Sequence, residues 1–151
     1  MQSLNRVYRL KVPAAPERVF PLLCPILEYK WLANWHCELL NSVSGVAEED
    51  CVFRTAPPGA GPMTWVVSRY EPNARIEFTC FVDGIYVFRL KICLTPDGPS
   101  TRLEWTRRWI SVGPGGNAWL ATWSEAEQEK SMDFIGRALT HFLVKGVMLQ
   151  P

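Results

Sequence analysis

Histidine is almost missing from this chain: among 151 residues only His36 and His141 occur. His36 lies in Trp35–His36–Cys37–Glu38, where neighbours on a strand point to opposite faces and cannot converge on one ion. Two ligands on one face are too few for a metal centre. No metal and no other cofactor is expected. The five cysteines, at 24, 37, 51, 80 and 93, are odd in number and show no CxxC spacing. That argues against a disulfide framework or structural zinc and for reduced thiols packed as small hydrophobes. Charge of one sign is lacking too: 16 basic residues face 15 acidic ones, for a net +1. No electrostatic footprint for nucleic acid or an anionic membrane follows. No apolar run approaches the roughly 18 to 20 residues of a membrane span. The start of the chain alternates instead of forming an apolar block, so no signal peptide is expected. A soluble cytoplasmic protein, with no nucleic-acid partner and no stable membrane insertion, is the expectation. Gly113–Pro114–Gly115–Gly116 lacks the Lys–Ser/Thr ending of a phosphate loop. Nothing in the spacing suggests a converging Ser–His–Asp set.

Apolar residues are plentiful, at 48%, too many for a disordered chain. The length suits one domain over residues 1–151 with a sizeable core. Tryptophan is the unusual count, with seven at 31, 35, 65, 105, 109, 119 and 123. Indoles fill cores and also line apolar pockets. Proline is absent from Ala118 to Gly146. There Phe134, Ile135, Ala138, Leu139, Phe142 and Leu143 recur at three- and four-residue spacing, one apolar face of a long helix. Ser124, with Glu125, Glu127 and Glu129 after it, supplies an acidic first turn. Gly146 stands where the helix would stop, and Gly113–Gly116 reads as its hinge.

Almost everything upstream alternates. Arg6–Val12 is a half-buried strand with Tyr8, Leu10 and Val12 on one face. Pro16 opens a short helical piece, and Pro21 and Pro25 break it from a second piece near Ile26–Trp31. Further strands are predicted over Trp35–Val43, Cys51–Thr55, Met63–Tyr70, Arg75–Val82, Ile85–Leu94 and Thr101–Ser111. Asp83–Gly84 is a two-residue hairpin signal. The Pro/Gly-rich stretch Ala56–Pro62 is a rim loop or lid. Short turns imply antiparallel neighbours. The result is an α+β layout, a curved antiparallel sheet against a helix.

The order resembles the helix-grip fold of the START-like superfamily, also called SRPBCC. Its most specific stretch is Val12–Pro13–Ala14–Ala15–Pro16–Glu17–Arg18–Val19–Phe20, followed by Cys24–Pro25 and Tyr29–Lys30–Trp31. Gly45 to Phe53 is similar to the family's glycine-flanked hairpin, except that Asp50 and Cys51 stand where many relatives have a glycine. The resemblance implies a sheet of about seven strands around a long C-terminal helix, with two short helices after the first strand. It also implies a hydrophobic cavity between sheet and helix, of the kind that binds lipids, sterols or polyketides. Some members catalyse cyclisation or dehydration, but no shared catalytic signature transfers to this chain, and fold does not fix function.

Candidate residues for such a cavity are Trp31, Trp35, Trp65, Phe78, Tyr86, Phe88, Trp105, Arg107, Trp109, Phe134, Ala138, His141 and Phe142. Arg107 shares a strand face with Leu103, Trp105 and Trp109. Either that face points inward and Arg107 needs a carboxylate or an anionic ligand, or the strand end meets water. A small apolar ligand is the expected partner. Three functions fit: a binding protein, a cyclase/dehydrase-type enzyme using the same cavity, or an interaction module filled by its own aromatic side chains. The last would leave no cavity of roughly 300 Å³ or more.

Overall fold

Seven strands pair antiparallel in one sheet, in the spatial order β1-β7-β6-β5-β4-β3-β2. They are β1 (Ser3–Val12), β2 (Glu38–Asn41), β3 (Val52–Thr55), β4 (Met63–Glu71), β5 (Arg75–Val82), β6 (Tyr86–Asp97) and β7 (Ser100–Ser111). The helices are α1 (Pro16–Val19), α2 (Pro114–Thr122) and α3 (Glu125–Lys145), with 3-10 turns at Phe20–Leu23 and Leu27–Lys30. This is a computed structural model, and it describes residues 2–151. Alternation decides the sheet faces: Tyr86, Phe88, Ile92 and Leu94 on β6, and Leu103, Trp105 and Trp109 on β7, are all buried. The sequence-predicted architecture, a curved antiparallel sheet covered by a C-terminal helix, is what the chain adopts.

Local chemistry explains the joints. At the β5–β6 turn Gly84 has φ 70°, and Ile85 N donates to Val82 O at 3.0 Å. Asp50 has φ 65°, a left-handed conformation that Asp tolerates better than most residues. That is why a glycine suits this position and why Asp can replace it. In the proline-broken segment, indole N–H groups take up carbonyls: Trp31 Nε1 donates to Leu22 O at 2.8 Å and Trp35 Nε1 to Pro25 O at 2.7 Å.

Three expectations are corrected. The second strand does not run over Trp35–Val43 but only over Glu38–Asn41. Its first part is held by a side chain instead, since the Tyr29 hydroxyl accepts from Cys37 N at 2.8 Å and donates to Cys37 O at 3.1 Å. The long helix is present as α3, Glu125–Lys145, but the stretch before its Ser124 cap, Ala118–Thr122, belongs to a separate helix, α2. Ser124 Oγ accepts from Glu127 N at 3.2 Å, so a good N-cap starts a new helix there. Gly146, at φ 73°, ends it, as a C-terminal glycine should. Finally, Gly115 and Gly116 are no hinge but lie within α2. A Cβ on Gly116 would stand 1.9 Å from Ile85 O. The helix is fixed to the β5–β6 hairpin, backbone against backbone.

Gly116→Ala is therefore expected to destabilise the fold by about 3 kcal/mol or more. Gly61→Ala, where an added Cβ meets nothing within 4 Å, should be nearly neutral. Urea unfolding of both variants checks the contrast.

Candidate functional site

The apolar side chains of the interior pack as two clusters. One is filled. Trp109, Trp119 and Trp123 lie within 5.6 Å of one another, centroid to centroid. Phe88 stacks on Trp109 at 4.9 Å, and Tyr86 lies 4.9 Å from Trp119. The other borders a cavity of about 240 Å³. That falls short of the 300 Å³ mark, as the interaction module filled by its own aromatic side chains requires, although it is larger than the roughly 150 Å³ that holds a benzene.

The cavity walls come from several elements. Trp65 on β4, Phe78 on β5, Phe88 on β6 and Trp105 on β7 form the sheet side, together with Phe53 of β3. Trp31, Trp35 and Glu28 close one end, and Ile135 reaches in from α3. The rings are locked. Trp65 stacks on Phe53 at 5.7 Å and meets Phe78 and Phe88 edge-on. Its Nε1 donates to Thr55 Oγ1 at 2.9 Å.

Two ionisable groups stand on this apolar wall. Arg107 points inward with the tryptophans of β7, which decides the orientation the sequence left open. Its Nη1 donates to Gln128 Oε1 at 3.1 Å and Ser131 Oγ at 3.4 Å. Burial pushes the guanidinium down from 12.5 to about 10, so it stays charged near neutrality. Glu28 keeps some accessible surface, yet its carboxyl sits deep enough that burial alone raises its pKa well above the usual 4.5. A carboxyl that holds its proton can donate a hydrogen bond or deliver a proton. Glu28 was missed in the sequence. A signal existed: in a helical turn it shares a face with Trp31 and Leu32, three and four residues on.

Of the thirteen sequence candidates, Trp31, Trp35, Trp65, Phe78, Phe88, Trp105 and Arg107 line the cavity. Six lie elsewhere. Tyr86 and Trp109 belong to the filled cluster. Ala138 is fully buried and Phe142 packs on the main core. Phe134 is half-buried on α3 and lines no part of the cavity. His141 lies in an open groove between β1 and α3, about 940 Å³ in extent, among Glu129, Lys130, Asp133 and Arg137. That is a solvated charged face. Gly136, expected to leave room for a ligand, leaves room for Tyr8 and Leu10 instead, which approach its would-be Cβ at 3.2 and 3.3 Å. His36 is exposed, edge-on to Tyr29. Among the described residues no three His, Cys, Asp or Glu side chains gather as a metal group would require.

A seven-stranded sheet gripping a C-terminal helix over an aromatic-walled cavity defines a helix-grip protein. The chain belongs to the family described as polyketide cyclase / dehydrase and lipid transport, whose model matches residues 7–139. No curated protein matches it in sequence. Similar solved structures include a Rhodobacter sphaeroides protein with 20% identity and TM-score 0.69, covering 93% of this chain and 91% of that one. CalU16 from Micromonospora echinospora is 18% identical with TM-score 0.65, covering 99% of this chain and 78% of its own. DynU16, from the dynemicin biosynthetic locus, is 20% identical with TM-score 0.64, covering 95% of this chain and 48% of its own. At such identities the likeness establishes the fold.

Two measurements check this geometry. The folded state keeps a proton on Glu28 that the unfolded chain releases above about pH 4.5. Stability should therefore fall as pH rises from there through the folded pKa. Glu28→Gln removes that loss, so its urea midpoint is expected to gain on the wild type between pH 5 and pH 8. A constant difference would show that the carboxyl is solvated. Second, Cys24, Cys51 and Cys80 are buried, and burial pushes the Cys80 thiol up to about 12. A thiol reagent should reach at most Cys37 and Cys93 in the native protein and all five cysteines in denaturant.

Proposed function

We propose that the protein binds a small apolar ligand in the cavity between the sheet and α3, as a soluble cytoplasmic protein. The observation that carries this reading is an unfilled space of about 240 Å³ walled by locked aromatic rings. Fixed walls lower the ordering cost of binding. Burial would supply affinity at about 25 cal/mol per Å² of apolar surface. Membership of a family described by cyclisation, dehydration and lipid transport supports the same reading. The volume favours a compact ring system over a sterol or a long acyl chain.

A second reading, an enzyme of the polyketide cyclase/dehydrase type, rests on Glu28. A carboxyl with a raised pKa beside a bound substrate is the type of group that general acid–base chemistry employs. Arg107 on the same wall would stabilise developing negative charge.

Native mass spectrometry of freshly purified protein, followed by tryptophan fluorescence titration with naphthalene-sized compounds, tests binding. An adduct or a saturable spectral change is expected. Neither, across fatty acids, sterols and ring compounds, would overturn the reading. Ile135→Phe puts a ring into the cavity. It should weaken binding at least about tenfold and leave stability the same or higher by up to about 2 kcal/mol.

A further inference from the structure

Beneath the break between α2 and α3 the polar atoms are short of acceptors. Arg6 on β1 and Arg107 on β7 are direct cross-strand partners, and both lie on the inward face. Like charges so placed repel. Arg6 donates through Nη2 to Trp123 O at 3.2 Å. Its Nη1 comes no closer than 3.8 Å to the carboxylate of Glu125, which is 89% exposed. Gln128 is 5% exposed. Its Oε1 accepts from Arg107 Nη1 and from Trp123 Nε1. Both partners are donors, so the amide orientation is fixed and Nε2 turns the other way.

Among the described residues four buried side-chain N–H groups and one oxygen have no partner: Arg6 Nε, Arg75 Nε, Arg107 Nε, Gln128 Nε2 and Asn117 Oδ1. Three of the donors, those of Arg6, Arg107 and Gln128, gather at this break, and two belong to cations. In Arg107 only Nη1 is engaged. The Nε–Nη2 edge, the two-pronged one that a carboxylate fits, is free. Glu28 does not relieve this deficit, since the side-chain partners of Arg107 are Gln128 and Ser131. Buried polar groups are normally paired, and a cluster with a surplus of one kind points to a missing partner of the other kind. Arg107 also lines the cavity, so the surplus opens onto apolar space. A cavity of roughly 150 Å³ holds one benzene; at about 240 Å³ this one has room for two fused rings.

Resting on the reading that the cavity takes a small apolar ligand, we infer that this ligand is a planar aromatic acid of two-ring size. Its carboxylate is received by the free Nε–Nη2 edge of Arg107, the one cation of the pair that lines the cavity, with the charge of Arg6 behind it, and its rings lie between Trp65, Trp105 and Trp31. The sheet supplies the charge, and the aromatic walls select flatness.

The test is calorimetric titration of the full chain with 2-naphthoate, its neutral isostere 2-naphthamide, naphthalene, palmitate and cholesterol. Naphthoate is expected to bind about 10- to 100-fold more tightly than the amide. Arg107→Met should bring naphthoate to the amide's level and leave the amide within about threefold. Arg6→Gln, farther from the cavity wall, should lower naphthoate binding by a smaller factor. Equal affinity of acid and amide, or equal losses of both in Arg107→Met, would overturn the anion site and leave apolar binding standing. Binding of cholesterol alone would do the same, and binding of palmitate alone would overturn the selection of a planar two-ring ligand. If none of the five binds, the cavity reading itself falls and this inference with it. Because the acid and amide are compared on the wild-type protein, the result holds even where a variant fails to fold.

Discussion

The period of two along β7 is the constraint on which the interior depends. This strand pairs with β1 and β6 along nearly its whole length, so it cannot swivel one side chain without breaking two ladders. Burying Trp105 and Trp109 on the inner face turns the residue between them, Arg107, to the same face. Its side chain is only partly exposed there, and the desolvation of its charge costs folding free energy. The rest of the site answers this one placement. Gln128 and Ser131 of α3 lie over the guanidinium, and the cap at Ser124 sets where α3 begins and so which of its side chains arrive there.

Packing then decides how much of the interior stays open. Indole rings are large and flat, and facing rows of them interlock poorly unless each finds an edge or a face to rest on. Trp109, Trp119 and Trp123 find one another. Trp31, Trp35 and Trp65 are tied instead by their N–H groups to Leu22 O, Pro25 O and Thr55 Oγ1. Rings tethered in this way do not collapse inward to fill the space before them. The cavity persists because hydrogen bonds hold its walls apart.

Much of this was legible in the sequence, for reasons that can be named. β5 and β6 follow from strict alternation on both sides of Asp83–Gly84, because a strand's period and a turn's torsions are local properties. The cap at Ser124 and the stop at Gly146 are local too. What was not legible depends on distant contacts. Ala118–Thr122 has the composition of a helix that runs on into Glu125, and its packing as a separate helix, with Trp119 and Trp123 against Trp109, is a matter of distant contacts. Gly115–Gly116 looks pliable in sequence because the Ile85 backbone it rests on is some thirty residues away. Residues of one apolar stripe, such as Ile135, Ala138 and Phe142, differ only in what stands opposite, so periodicity could not say which of them faces empty space. Glu28 was overlooked because a carboxylate in a short, proline-flanked turn ordinarily faces water.

The stacked pair Trp119 and Trp123, 5.4 Å apart with planes 14° from parallel, has an optical consequence. Two indoles in that arrangement couple electronically and share absorbed light, and Trp109 lies close enough to join them. The near-ultraviolet dichroism of this protein therefore carries a component from chromophores that no occupant of the cavity touches. Trp31, Trp35, Trp65 and Trp105 form the wall instead. One chain thus holds its own reference chromophores beside its reporters, and the two sets separate by position in the fold.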